Sequence, residues 1–247
     1  MHKLEAVIVS FNCLDLLSIT LPRNLPEFDT ITIITKPDDK ATLDYCQSLN
    51  DSKLRVLVTD VFTQNGCQFN KGEAINQGID VTLYKEFIAL MDCDVIVPKG
   101  FKKKFNEIIL DKECLYGMRR LNLDTKQDLE DLESGKKQKD DFTLFRGAFY
   151  GYFQLFHYQS STFQRLLKQF NGKAYPFWIP VANDIDWVFY LHFGEMIYDP
   201  PLGKFPECHF EPNQDYSTGK LRELQFHCIH LGTPGLNHIE RTTPSFS

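Results

Sequence analysis

The sequence predicts an α/β fold in which a mainly parallel central sheet is flanked by helices, built as a single domain. Two observations predict it. The first hundred residues alternate short apolar runs with amphipathic stretches, the pattern of strand and crossover helix. No Pro/Ser-rich linker divides the 247 residues, and 43% of them are hydrophobic, enough for one sizeable core.

The strands follow in order. Ala6–Phe11 (AVIVSF), Ile31–Thr35 (ITIIT) and Leu54–Val58 (LRVLV) are short, apolar on both faces and bounded by polar turns, as buried parallel strands are. Phe87–Met91 (FIALM) is a fourth, and Val95–Val97, closed by Pro98, is a shorter fifth. Between them Leu14–Leu21 and Asp39–Leu49 read as helices, the second opened by acidic residues near its N-cap. Phe101–Leu110 is a helix with a lysine-rich start. Residues 122–142 are dense in charge and poor in large apolar groups, which predicts a solvated loop or exposed helical flap, with a lid over a site as the sharper alternative. Beyond it Phe145–Tyr158 is aromatic and strand-like, while Ser161–Phe170 and Asn183–Phe193 read as helices. The tail alternates, placing His227 and Ile229 on one face and Cys228 and His230 on the other.

Charge and cysteine content narrow the function classes. A net charge of −6 disfavours nucleic acid as a partner and fits small neutral or metal-chelated ligands. Seven scattered cysteines without a C-x-x-C pair spell neither a zinc ribbon nor a disulfide framework, so buried thiols in a reducing compartment are expected. The N-terminus enters an apolar strand, and no apolar run approaches the roughly 20 residues of a membrane-spanning helix. A cytoplasmic location is the expectation.

Four constellations carry possible chemistry. Asp92-x-Asp94 follows the FIALM strand, and ligands of open α/β sheets bind outside the carboxyl ends of strands, so the two carboxylates could share a hard divalent cation. The plainer alternative is a polar strand-end turn. Lys71, in FNKGEAINQGI, opens a helix where it can pair with a phosphate or a strand-end carboxylate; an N-capped surface helix is the alternative. His230 could complete a site beside Asp92 and Asp94, although a lone histidine is usually structural. Asp184-x-Asp186 either complements a helix dipole or supplies a general base.

With these residues in place, the chain resembles the GT-A class of nucleotide-sugar glycosyltransferases, and within it the glycosyltransferase family 2-like group. Val7-Ile8-Val9-Ser10-Phe11-Asn12 is similar to that group's first strand and nucleotide-contact turn, FNKGEAINQGI to its Lys/Arg and Asn segment, MDCDVIVP to its D-x-D segment, NDID to its base motif and HLG to its C-terminal histidine. The order of these motifs from residue 5 to residue 232 is the specific part.

The resemblance implies a GT-A (Rossmann-like), mixed but mainly parallel sheet. Residues 1–98 would form a nucleotide-binding half and 99–247 an acceptor-binding half. It implies that Val9 and Phe11 meet the nucleobase, that Ser10 and Asn12 shape the turn, and that Lys71 sits near base or phosphates. Asp92 would face the donor ribose and metal, with Asp94 and His230 holding Mn²⁺ or Mg²⁺ against the diphosphate. Asp184 would be the catalytic base, with Asp186 the fallback, and Arg119, Arg120 and Gln154 would belong to the sugar and acceptor pocket. The implied reaction moves a sugar from a nucleotide-diphosphate donor, a UDP-sugar foremost, to the hydroxyl of a glycan or other acceptor with inversion. Two departures stand out: Lys36-Pro37-Asp38-Asp39 ends the second strand where Asp-Asp commonly reads uracil, and Asn183 stands where Glu is frequent. Two other functions compete. A sugar-phosphate nucleotidyltransferase would need a Gly-rich basic loop after the first strand, which Phe11-Asn12-Cys13-Leu14-Asp15 does not supply; a catalytically idle nucleotide- or glycan-binding module would have no need for the acidic and histidine set.

Overall fold

Leu4–Val9 form β1, six buried residues whose alternate side chains feed two different cores. The computed structural model describes residues 2–66, 69–145, 151–175, 189, 193 and 220–232. Around β1, the strands β2 (Thr30–Thr35), β3 (Leu54–Val58) and β4 (Phe87–Asp92) pair in parallel in the order β3-β2-β1-β4. This half is the one expected from continuous apolar runs.

The second half is mixed in direction. β8 (Phe153–His157) pairs antiparallel with β4, and β6 (Leu115–Leu123) pairs antiparallel with β8 and with the short β7 (Thr143–Phe145). The final strand, β9 (Leu221–Leu231), lies between β6, which it joins in parallel, and β5 (Val95–Ile96), which it joins antiparallel. One mixed sheet therefore runs β3-β2-β1-β4-β8-β6-β9-β5 through the described residues. It crosses the expected division at residues 98 and 99 without a break. β9 spends Glu223 to His227 where β6 spends Gly117 to Arg119, an irregularity of the kind that re-aims side chains beside sites.

Helices cover both faces. α1 (Leu14–Asn24), α2 (Lys40–Leu49) and α4 (Phe101–Glu107) contribute Leu17, Leu21, Cys46, Phe101 and Phe105 to a core with Ala6, Ile8 and Ile33. On the other face α3 (Lys71–Asp80) and α6 (Ser161–Gln169) contribute Ile75, Ile79, Phe163 and Leu166 to a core with Val7, Val9 and Leu90. α3 approaches β1 and β2 through Gly78, where a Cβ would lie 2.5 Å from both Val7 Cγ1 and Ile34 Cδ1. Glu5 is the one carboxylate buried within β1. It accepts backbone N–H bonds from Leu83, Tyr84 and Lys85 at 2.7, 2.8 and 3.2 Å and the Thr30 hydroxyl at 3.0 Å, which compensates its desolvation and fixes the entry to β4.

The charged stretch 122–142 contains a helix, the flap form of the two plain alternatives predicted for it. Its first two residues end β6, and Thr125 then opens α5 (Lys126–Glu133) with a reciprocal capping box to Asp128. Leu129 is buried with Leu16, Ile96, Leu123 and Leu231, and Arg23 of α1 pairs with Glu133 at 2.7 Å. Two apolar residues and a cap suffice to dock this helix. The expected helix Asn183–Phe193 lies outside the described residues apart from Phe189 and Phe193, both helical and buried.

Candidate active site

The carboxyl ends of β1 and β4, with the ends of β6 and β9, bring most of the expected residues to one region. β1 ends at Val9, which pairs in register with Asp92 at the end of β4. Ser10 is fully buried and donates its N–H to the Ile34 carbonyl at 2.9 Å. Asn12 then takes φ 55°, a left-handed conformation that Asn tolerates better than most residues, and turns the chain into α1. Phe11 is buried in an aromatic trio with Phe62 and Phe69, centroids 5.2 and 5.1 Å away, and the Lys36 ammonium lies 4.9 Å from its ring. Its ring is thus packed from several sides.

Asn70 caps α3 by accepting the Glu73 N–H at 3.1 Å, which sets Lys71 as the first helical residue. From there Lys71 Nζ reaches Asp92 Oδ1 at 2.9 Å, with both side chains largely buried. Of the two partners open to Lys71 in sequence, the strand-end carboxylate is the one it takes. Asn76, one turn on, donates to the Tyr175 carbonyl at 3.0 Å and accepts from the Ala174 and Tyr175 N–H groups at 2.9 Å each. It ties α3 to the chain after α6 and has a positioning role.

A turn at Cys93 and Asp94 breaks the i, i+2 relation of the acidic pair. Asp94 therefore leaves Asp92 and meets His230 of β9, Oδ2 to Nε2 at 3.4 Å, both residues buried. Leu231 N–H donates to the Asp94 carbonyl at 2.9 Å and locks the register of this contact. Among the described residues no group of three His, Cys, Asp or Glu side chains is gathered closely enough to hold a metal. The expected three-ligand set is thus split into Lys71–Asp92 and Asp94–His230. The second pair still fits a divalent cation: it offers one carboxylate and one imidazole, and Asp94 Oδ1 and His230 Nδ1 are buried without a hydrogen-bond partner.

β6 supplies Arg120, already a candidate from the resemblance, and Asn122, which was not. Arg120 pairs in register with Cys228 and Asn122 with His230, so all four share one face of the sheet. The Arg120 guanidinium carbon lies 4.5 Å from the Tyr152 ring centroid and 4.6 Å from that of Phe145. Tyr152 also accepts the Asp92 N–H at its carbonyl, 3.1 Å, which links this face to the end of β4. Arg119 is on the opposite face, paired with Glu223 at 2.7 Å. Gln154 pairs in register with Leu90, a residue of the α3-side core, and is buried away from Arg120. Asn122 escaped notice because it fell inside the charged stretch. Asp184 and Asp186 lie outside the described residues.

The five described cysteines are free and buried. A hydrogen bond with Cys13, together with burial, pushes the Cys93 thiol well up, and burial lifts Cys228 to about 12. Neither is poised as a thiolate ligand. Among the described residues no helix is long and apolar enough to cross a membrane.

No protein-family profile and no curated protein matches the chain. Among solved structures it is similar in fold to 4-diphosphocytidyl-2C-methyl-D-erythritol synthase from Anaerococcus prevotii, with 12% identity over 91% of this chain and 88% of that one and a TM-score of 0.48. A protein described as a glucose-1-phosphate thymidylyltransferase from Bacillus anthracis gives 13% identity, coverage of 76% and 83%, and a TM-score of 0.40. Glucosyl-3-phosphoglycerate synthase from Mycobacterium tuberculosis, solved with Mn²⁺, UDP and phosphoglyceric acid, gives 14% identity, coverage of 48% and 43%, and a TM-score of 0.34. These are distant likenesses of fold, and the reading of the site rests on its own geometry.

Proposed function

We propose that this protein is a divalent-metal-dependent glycosyltransferase that moves a sugar from a nucleotide-diphosphate donor, a UDP-sugar foremost, to an acceptor hydroxyl with inversion. The observation that carries the reading is the buried Asp94–His230 pair, with one unpartnered polar atom on each residue, at the carboxyl end of the sheet. A buried pair with open valences at that position is where a hard cation and a phosphorylated ligand are accommodated in open α/β sheets.

The roles proposed for the residues come from the resemblance and are supported, where the residues are described, by the contacts above. Asp94 and His230 would hold Mn²⁺ or Mg²⁺, which when bound offsets the negative charge that develops on the departing diphosphate. Lys71, anchored by Asp92, sets the charge balance at the end of β4 and orients that carboxylate toward the donor. Val9, Ser10, Phe11 and Asn12 would form the wall facing the nucleobase, with Lys36 above the Phe11 ring. Asp184 would take the proton from the attacking hydroxyl as general base. A competing nucleotidyl transfer needs a Gly-rich basic loop after β1, and the Ser10–Cys13 turn holds neither glycine nor a basic residue. We place the protein in the cytoplasm on the strength of its free buried thiols.

The test is calorimetric titration of nucleoside diphosphates and nucleotide sugars with and without Mn²⁺, on the wild type and Asp94→Ala. Metal-dependent binding of one nucleoside diphosphate that weakens at least about tenfold in the variant supports the reading. Absence of nucleotide binding in every condition overturns it and favours an idle binding module.

A further inference from the structure

We infer that the face shared by β6 and β9 binds a phosphoryl oxyanion, with Arg120 as its cation. Four buried polar atoms without a hydrogen-bond partner gather there: Arg120 Nε, Asn122 Oδ1, His230 Nδ1 and Asp94 Oδ1. Native proteins satisfy their buried polar groups, so four open atoms on residues joined by one register and the Asp94–His230 contact mark a place that a ligand completes. Their chemistry specifies the ligand. Arg120 offers N–H donors, whereas Asp94 and Asn122 offer oxygens that accept from hydroxyls or bind a cation. A phosphoryl group that is chelated to a divalent cation or carried on a polyol answers both demands, and a guanidinium matches its oxygens in geometry.

Arg120 is built for the part. Its guanidinium lies in the corner formed by the rings of Phe145 and Tyr152, which fixes its position without consuming its charge. No carboxylate among the described residues pairs with it, in contrast to Arg119, whose charge Glu223 meets at 2.7 Å on the other face. Two strand positions, about 7 Å, separate Arg120 from Asn122, so an oxyanion on Arg120 lies beside the Asp94–His230 pair.

The oxyanion has two possible carriers: the diphosphate of a donor, or a phosphoryl group on the second substrate. Naming them rests on the transferase reading; the oxyanion site itself does not. The experiment titrates inorganic pyrophosphate in the presence of Mn²⁺ into the full chain, comparing wild type, Arg120→Gln and Arg120→Lys. The wild type is expected to bind, Arg120→Gln to lose about tenfold or more, and Arg120→Lys to lose less. Because Arg120 packs against two rings, a second measurement needs no variant. Phenylglyoxal modification of Arg120 in the wild type, mapped by mass spectrometry, is expected to be blocked by pyrophosphate.

Displacement of pyrophosphate by UDP assigns the oxyanion to the donor. Binding of orthophosphate on top of saturating UDP and Mn²⁺ assigns it to the second substrate, and either result upholds the site. Equal pyrophosphate affinity in wild type and Arg120→Gln, or no protection of Arg120, overturns it. If pyrophosphate protects Arg120 while no nucleotide binds, the site stands and the transferase reading falls. If UDP and Mn²⁺ bind while pyrophosphate leaves Arg120 unprotected, the reverse holds.

Discussion

Lys71 and Asp92 lie 2.9 Å apart with side chains only 10% and 21% exposed, so each compensates the desolvation of the other. Lys71→Ala removes the cation beside a mostly buried carboxylate, and a loss of about 2 kcal/mol in urea denaturation is expected, with Lys71→Arg recovering part of it. His157 gives a pH dependence of defined sign. Burial holds its imidazole below the ordinary histidine value, and the ring accepts the Gln159 N–H at Nδ1, 3.1 Å, so the fold selects the neutral form. Its contribution is complete above the unfolded value of about 6.5 and is lost as pH falls through the lower folded value. The melting temperature of the wild type should therefore drop more steeply between pH 7 and pH 5 than that of His157→Gln. The thiols add a chemical readout: burial raises Cys46 and Cys114 to about 11 and Cys228 to about 12. At pH 8 these three should react with a thiol reagent far more slowly in the native protein than in urea, as followed by mass spectrometry.

The α3 helix reaches the sheet so closely that its position depends on a missing side chain. Gly78→Ala would press a methyl group to within 2.5 Å of Val7 Cγ1 and Ile34 Cδ1. A loss of about 1 to 3 kcal/mol is expected, and Gly78→Val should lose more, as measured by the urea midpoint. Because α3 carries Lys71, the same variants should weaken ligand binding. α5 depends instead on its cap: Thr125→Ala removes the one hydroxyl that accepts the Asp128 N–H and donates to the Asp128 carboxylate, at about 1 kcal/mol.

These two helices also show what a sequence can display. α3, α1 and α2 were visible because their neighbours β1 to β4 are uninterrupted apolar runs that announce the parallel half. β6 was not visible, since Arg119, Arg120 and Asn122 break its apolar pattern, and one of those three is spent on Glu223 while the other two face the site. The Asp94–His230 contact came from the resemblance and from no local spacing, because the partners come together only when β9 settles beside β5. The turn at Cys93 and Asp94, which follows β4 directly, is a feature that a run of letters does not announce.

Across the whole molecule the sheet joins two regimes, parallel from β3 to β4 and largely antiparallel beyond, and the candidate site lies along their carboxyl ends and junction. If the proposed function holds, a saturating nucleoside diphosphate with Mn²⁺ should raise the melting temperature of the wild type by several degrees and that of Asp94→Ala by little, since a ligand at about 100 times its Kd adds about 2.7 kcal/mol. The path of β9 has a consequence for how the molecule comes into being. Until residues 221–231 slide between β6 and β5, those two strands present unsatisfied edges to the surroundings, and His230 has no place beside Asp94. The pairing of β9 closes loops of more than a hundred residues, a slow and entropically costly event. Asp94 and His230 therefore come together only when the pairing of β9 is complete, so a chain lacking that strand lacks the pair as well.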